Sequence, residues 1–186
     1  RRGMTHSRSR VFLRAVDVRI DGFRVEKAPE WRGQRVFVKH EVDGKGYELR
    51  LSEESAGTQK LMGLASFLLA ALERGGTVVV DELDAKLHPK LLRYVILLFK
   101  DPEVNKSGAQ LIFSSQDVST MRNDVFRRDE IWFAARGEGE ASQLWSLADI
   151  HEANGNLVSK NAAFDKQYLS GRYGADPYLT RIEEWD

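Results

Sequence analysis

Two acidic residues follow a short run of β-branched residues near the middle of the chain. The run Thr77–Val80 has the composition of a buried strand, and Asp81 and Glu82 stand where that strand would end. Carboxylate oxygens at the end of a buried strand are suited to holding a Mg²⁺ ion and a water molecule. The pattern therefore predicts a site that holds a cation and a water molecule. The simpler alternative is a strand end that is exposed to solvent, which can have the same sequence.

A turn of small residues lies upstream of that strand. Ser55, Ala56, Gly57 and Thr58 open a long apolar stretch that predicts a helix. The start of a helix has unpaired N–H groups and a positive dipole end, which together bind anions such as phosphate. Gly57 lacks a Cβ, so its main chain can be approached closely. We therefore predict that this turn binds a phosphate; the simpler alternative is that Ser55 only caps the helix.

The surrounding elements predict a fold of the α/β class, a mostly parallel sheet flanked by helices. The strand before Asp81 is continuously apolar rather than alternating, which is typical of a strand covered on both faces. The helix after Gly57 is apolar around nearly its whole circumference, which predicts that it is buried on all sides. A second helix is predicted over residues 90–100, and a further strand over residues 109–113.

Length and composition limit the class of protein. The chain has 186 residues, 42% of them hydrophobic, which is enough for one sizeable core. Its 28 Lys and Arg residues balance 28 Asp and Glu residues, so net charge does not argue for nucleic acid. Without cysteine there are no disulfides or thiolate metal sites, and a reducing cytoplasm is the expected compartment. No apolar run is long enough to span a membrane, so no membrane association is expected.

Three segments, in this order, resemble the motifs of a known class of ATPases. Residues 55–61 are similar to the signature motif of ABC-type ATPases, in the variant with threonine in the final position. Residues 78–82 resemble the Walker B strand, and residues 83–89 resemble the loop that follows it. The order and spacing are similar to those of OLD-like prokaryotic ATPases, relatives of the SMC and DNA-repair heads that are common in anti-phage defence operons.

The resemblance implies ATP and Mg²⁺ as cofactors and assigns a role to each motif. Asp81 would hold Mg²⁺, and Glu82 would orient the attacking water. The turn of residues 55–58 would bind the γ-phosphate of an ATP molecule held by a second subunit. Asp84 and His88 would lie near the same site, at the interface of the resulting homo-oligomer.

The end of the strand predicted over residues 109–113 departs from the pattern of the ATPases that the chain resembles. Its end reads Ser114-Ser115-Gln116, and Gln116 stands where the class usually has a histidine that faces the γ-phosphate. An amide can hydrogen-bond water or phosphate but cannot transfer a proton. Gln116 would therefore position the water, or hydrolysis would be slow. Ser114 and Ser115 either line the cleft or simply form a polar strand end.

The sequence contains no glycine-rich phosphate loop of the form G-x-x-x-x-G-K-[ST]. We therefore expect the C-terminal lobe of a P-loop NTPase of the ABC and SMC head type, with the phosphate loop upstream; the alternative is a chain that never bound ATP by itself. The resemblance divides the chain into the end of a helical insertion (1–16), the lobe with a small hairpin (17–148) and a C-terminal helical tail (149–186).

Two functions fit the resemblance. In the first, an ATP-hydrolysing homo-oligomer senses invasion through DNA or a phage protein and controls a separate effector, a nuclease or toxin, in anti-phage defence. In the second, nucleotide stabilises a scaffold that sequesters a toxin or nuclease; a DNA-repair or SMC-like ATPase head is a further alternative. The chain has no D-x-D cluster of the kind that a TOPRIM nuclease module needs. It is therefore not expected to cut nucleic acid itself.

Overall fold

The computed structural model describes residues 20–28, 33–136, 141–152 and 155–175. The chain forms two compact units, Arg1–Gln116 and Asp117–Asp186. The helical insertion predicted for residues 1–16 lies outside the described residues. The unit boundary also differs from the domains expected from the sequence, which placed residues 17–148 in one lobe. The difference arises because the hairpin after residue 130 shares a core with Val158, Phe164 and Tyr173.

The first unit contains an antiparallel sheet of three strands. β1 (Gly22–Ala28) pairs with β2 (Gly33–Val42), which pairs with β3 (Lys45–Arg50). Asp43 and Gly44 form the turn between β2 and β3, and both have positive φ angles, 52° and 73°. A two-residue turn with two positive φ angles twists in the same sense as the flanking strands. Asp-Gly favours such a turn because both residues tolerate a positive φ. The sequence predicts a hairpin here, because segments 36–38 and 47–51, which carry apolar residues, flank this dipeptide, and the pairing of β2 with β3 confirms it.

A long helix, α1 (Ala56–Arg74), follows the sheet and confirms the predicted helix. Gly75 ends it in the left-handed conformation that favours glycine at a helix C-terminus. Its buried residues recur at helical spacing: Leu61, Ala65, Leu68, Ala71 and Leu72. Phe67, outside this stripe, is 65% exposed. The prediction of burial around the whole circumference is therefore wrong for the described structure, in which only one side of the helix is packed.

The next two strands form a parallel pair. β4 (Thr77–Val80) is connected through α2 (Pro89–Lys100) to β5 (Gln110–Phe113), and Val80 lies opposite Phe113. α1 contacts β4, and α2 contacts β5. The predicted order of strand, helix and parallel strand is confirmed. This arrangement places the carboxyl ends of both strands at the same edge, where Asp81 and Ser114 follow.

Only one face of the parallel pair is covered in the described structure. Val80 is buried, whereas Val79 is 73% exposed and Ile112, its neighbour in the register, is 56% exposed. Successive side chains of a strand face opposite sides of the sheet. The prediction that this strand is covered on both faces is therefore wrong for the described residues, because the described elements pack against one side only.

The second unit is built around an antiparallel hairpin, β6 (Trp132–Arg136) and β7 (Ser142–Ser146). Its core joins residues of the hairpin to residues near the end of the chain: Ile131, Phe133, Leu147, Val158, Phe164 and Tyr173. The ring centroids of Phe133 and Tyr173 lie 5.3 Å apart. Burial raises the pKa of Tyr173 to about 12. Its hydroxyl therefore stays protonated and donates to Gln167 Oε1 at 2.7 Å.

The tail predicted as helical over residues 149–186 contains one short α-helix in its described part, α3 (Phe164–Leu169). Before α3, His151 and Leu157 form an isolated antiparallel bridge. Gly155, between them, has a φ of 81°, which a helix does not allow. The described residues between 149 and 163 contain no α-helix, so the prediction of a mostly helical segment is wrong for them, apart from a 3₁₀ turn that ends at Asp149.

A helix that spans a bilayer must be both long and apolar, and these two requirements can be applied to the helices in the described part of the chain. None of them meets both requirements.

We predict that Gly75→Ala destabilises the protein more than Gly108→Ala. Both glycines have positive φ angles, 77° and 69°. A Cβ at Gly75 would lie 2.3 Å from the main-chain oxygen of Ser107, whereas at Gly108 it would meet nothing within 4 Å. We expect Gly108→Ala to lower the unfolding free energy by about 1–2 kcal/mol, and Gly75→Ala by at least about 1 kcal/mol more. Urea unfolding measures both, and equal losses would contradict the close contact.

Candidate functional site

The carboxyl ends of β4 and β5 bring Asp81 and Glu82 next to Ser114. Ser114 Oγ donates to Asp81 Oδ1 at 2.5 Å and accepts from the main-chain N–H of Glu82 at 2.8 Å. One hydroxyl thus ties both acidic residues to the end of β5. Asp81 and Glu82 are exposed, so the two carboxylates predicted to act on a metal and a water are accessible.

Glu82 has an unusual main-chain conformation, with a φ of 48°. Residues other than glycine seldom adopt this region. Its carbonyl oxygen accepts from the Ala85 N–H at 3.0 Å and from the ammonium of Lys60 on α1. Its N–H donates to Ser114. The main chain of Glu82 is therefore held by hydrogen bonds from α1, from β5 and from its own turn, and these bonds maintain a conformation that costs of order 1–3 kcal/mol.

Asp84 and Gln116 also meet at this edge of the sheet. Asp84 Oδ2 accepts from the main-chain N–H of Gln116 at 3.3 Å. The other carboxylate oxygen, Oδ1, is buried and has no hydrogen-bond partner within the described part of the chain. Gln116 itself is exposed. Both predicted site residues therefore lie in the same region, but Asp84 is partly buried and braces the two strand ends, whereas Gln116 is open to solvent.

The turn of residues 55–58 forms the start of α1 and packs against the loop after β4. Ser55 Oγ accepts from the main-chain N–H of Thr58 at 3.1 Å and lies 2.8 Å from Thr58 Oγ1. Ala56, the first residue of the helix, is exposed. Ser55 is thus the helix cap. Capping is compatible with anion binding, because the other N–H groups of a first helical turn have no acceptor within the helix.

Gly57 is required by a close main-chain contact. A Cβ at this position would lie 2.8 Å from the main-chain oxygen of Lys86, in the loop between β4 and α2. Real Cβ atoms essentially never approach an oxygen so closely. The absence of a side chain therefore lets the start of α1 approach the loop that begins at Asp81, in addition to any ligand that it admits.

His88 begins α2. Its Nδ1 accepts from the main-chain N–H of Lys90 at 3.2 Å, which makes it the helix cap, and Pro89 follows at the first helical position. An accepting Nδ1 in a neutral ring places the proton on Nε2. His88 is exposed, so its ring is accessible to a ligand or a second chain.

The described residues fit Mg²⁺ bound together with a phosphate better than a metal held by protein alone. Within the described ranges, no group of three or more His, Cys, Asp or Glu residues could hold a metal ion. Mg²⁺ keeps several waters and is commonly bound by one or two carboxylates together with phosphate oxygens. Asp81 is an exposed carboxylate oriented by Ser114, and it suits that mode of binding.

Two residues of the site receive no firm role from the sequence. In the sequence, Ser114 fits a residue that lines the cleft and a residue of a polar strand end equally well. Lys60 lies within residues 55–61, the segment that resembles the signature motif, but has no role of its own there. Parallel pairing could have indicated Ser114, because Ser114 and Asp81 each directly follow strands that lie in register. Nothing in the local pattern distinguishes Lys60 from any other lysine on a helix.

Comparison with known proteins identifies the family. Residues 5–122 match the family described as AAA domain, putative AbiEii toxin, Type IV TA system. The chain belongs to this AAA family. The matched segment contains every predicted site residue, from Ser55 to Gln116. With α1 against β4 and α2 against β5, the parallel pair of this AAA domain confirms the predicted α/β fold of a P-loop NTPase.

One solved structure that resembles the AAA domain comes from a study of ATP-driven dimerization and DNA-stimulated activation of SMC ATPases. It is 18% identical in sequence, with a TM-score of 0.46, over 74% of this chain and 88% of that chain. So distant a similarity says nothing about function. No curated protein matches the chain.

We predict that Gly57→Ala and Gly63→Ala change stability in opposite directions. Both glycines lie in α1, where alanine is favoured by about 1 kcal/mol. A Cβ at Gly63 would meet nothing within 4 Å, so the unfolding free energy should rise by about 0.5–1 kcal/mol. A Cβ at Gly57 would collide with the main chain of Lys86, so it should fall by about 1 kcal/mol or more. Urea unfolding compares the two, and a stabilised Gly57→Ala variant would show that the turn and the loop are not in contact.

Proposed function

We propose that this AAA domain hydrolyses ATP at the carboxyl ends of β4 and β5, and that Glu82 orients the attacking water. The observation that supports this most directly is the accessible Glu82 carboxylate on a main chain held by Ser114 and Lys60. A carboxylate in a fixed position can accept a hydrogen bond from a water and direct it at a phosphate. Phosphoryl transfer depends mainly on such positioning and on neutralisation of charge.

Asp81 is the metal ligand in this proposal, and the Ser114 hydroxyl orients its carboxylate. Mg²⁺, when bound, neutralises charge on the phosphate oxygens. Gln116 follows β5 at the same edge, where its amide can hydrogen-bond a water or a phosphate oxygen but cannot take up a proton. Glu82 is therefore the candidate proton acceptor of the site.

We assign the turn of residues 55–58 to a nucleotide that a second subunit holds. The first N–H groups of a helix attract phosphate, and Gly57 seats this helix start against the loop that begins at Asp81. The exposed ring of His88 would contact the nucleotide or the second subunit at the same interface. Asp84 would fix the loop between β4 and α2 through its hydrogen bond to Gln116. ATP would then join two domains into a homo-oligomer, and neither domain would complete a site alone.

The biological role that we propose is control of a separate effector, a nuclease or toxin, in anti-phage defence, with DNA or a phage protein as the trigger. The description of the family refers to a putative toxin and a toxin–antitoxin system, which supports a link to a toxic activity. The second candidate is a nucleotide-stabilised scaffold that sequesters the toxin or nuclease. Gln116 favours that candidate, because the site lacks a histidine at this position and hydrolysis would be slow.

We predict that Glu82→Gln, in the complete protein, lowers ATP turnover by about 100-fold or more. The amide keeps the size of the side chain but cannot accept a proton, so ATP binding should be retained or become tighter. Phosphate release measures turnover, and equilibrium binding of ATP with Mg²⁺ measures affinity. Glu103→Gln is the matched control, because its side chain is 85% exposed in the loop after α2. Unchanged turnover in Glu82→Gln would contradict the catalytic role.

We also predict that ATP-dependent association requires the turn of residues 55–58. In the Glu82→Gln background, ATP and Mg²⁺ should shift the protein to a larger oligomer. Ser55→Arg in the same background should prevent that shift, because a long cationic side chain blocks the helix start. Sedimentation velocity measures the shift, with Ser170→Arg, at an exposed serine after α3, as the control. Association that persists in Ser55→Arg would place the turn outside the interface.

A further inference from the structure

Lys60 connects α1 to the loop that contains Glu82. It lies shortly after the start of α1, and its ammonium donates a hydrogen bond to the main-chain oxygen of Glu82. The two residues are 22 positions apart in the sequence, so the bond forms only when α1 packs beside the end of β4. The side chain is half-buried, which limits the alternative positions open to it.

The carbonyl group that Lys60 contacts belongs to Glu82, whose main chain has a positive φ of 48°. The Glu82 oxygen also accepts from the Ala85 N–H at 3.0 Å, and the N–H of Leu83, on the other side of the same peptide, donates to the main-chain oxygen of Ser114 at 3.0 Å. A hydrogen bond from a cation is stronger than one from a neutral donor. Removal of the Lys60 ammonium would thus remove the link from α1 and leave the bonds from β5 and the turn.

We propose that Lys60 is a positioning residue for Glu82, through which the start of α1 sets the direction of the Glu82 carboxylate. The orientation of the peptide after Glu82 is coupled to the main-chain angles of that residue, and these angles set the direction of its side chain. A small displacement of α1 is therefore transmitted to the carboxylate. The inference rests on the proposed function, because it gives Lys60 a part in a reaction for which Glu82 is the catalytic residue.

The same helix starts with the turn of residues 55–58, so binding of a ligand at that turn would be linked to the orientation of Glu82. Ser55 caps the helix, Gly57 lies in its first turn, and Lys60 follows on the same continuous helix. A phosphate that binds at the start of α1 would act on Glu82 of the same chain through Lys60. Engagement of a second subunit's nucleotide and orientation of the water would then be coupled within one chain.

The first test compares Lys60→Met with Lys60→Arg in the complete protein. Methionine keeps an unbranched side chain of similar size but cannot donate, whereas arginine keeps the charge and the donors. We expect Lys60→Met to lower kcat by about 10- to 100-fold while KM for ATP changes by less than about twofold. Lys60→Arg should recover most of kcat. Lys106→Met, at a lysine whose side chain is 71% exposed, controls for the loss of charge and should match the wild type.

A second measurement needs no nucleotide. Amide hydrogen exchange in the segment 82–87 reports how firmly the loop is held. We expect faster exchange in Lys60→Met than in the wild type, and wild-type exchange in Lys106→Met. Unchanged exchange in Lys60→Met would overturn the claim that Lys60 holds the loop.

Glu82→Gln, measured alongside, separates the two hypotheses. Wild-type turnover in Glu82→Gln would overturn the proposed function and the catalytic part of this inference. Lost turnover in Glu82→Gln with wild-type kcat in Lys60→Met, or with an effect on KM alone, would overturn only the role of Lys60. If Lys60→Met does not fold, Lys60→Arg decides: turnover close to the wild type supports the proposal, and turnover as low as that of Glu82→Gln refutes it.

Discussion

The left-handed main-chain conformation of Glu82 is the constraint on which the candidate site depends. A residue other than glycine stays in this conformation only when its surroundings leave it no better alternative. Here Ser114 binds the N–H of Glu82, and Lys60 and Ala85 bind its carbonyl oxygen. Three separate elements therefore cooperate to present one carboxylate. Glu82, one of the residues with this strained conformation, is the residue that we propose orients the attacking water.

The loop after Glu82 is shaped by the same helix start. Lys86 also has a positive φ, 65°, and its carbonyl oxygen lies only 2.8 Å from the position that a Cβ on Gly57 would take. The turn of residues 55–58 and the loop after β4 thus pack directly against each other and are not two independent motifs. This explains why a glycine is needed in the turn even before a ligand is considered.

Packing in the first unit supports the site from one side. The buried stripe of α1 and the buried residues of α2 lie against β4 and β5, whereas Phe67, Val79 and Ile112 remain largely exposed. The second unit has its own aromatic core, in which Phe133 and Tyr173 pack together.

By itself, the sequence determined the order of the main elements of the first unit and the types of polar side chain that the candidate site contains. The helix that begins after Ser55, the Asp43-Gly44 turn and the acidic pair after a β-branched strand follow from preferences that act within a few residues. Tertiary structure alone decided which distant groups meet and which faces are covered. Ser114 binds Asp81 across 33 positions, and Lys60 binds Glu82 across 22. Such contacts depend on strand register and helix packing, which leave no local pattern, and the exposure of Val79 depends on which elements lie above the sheet.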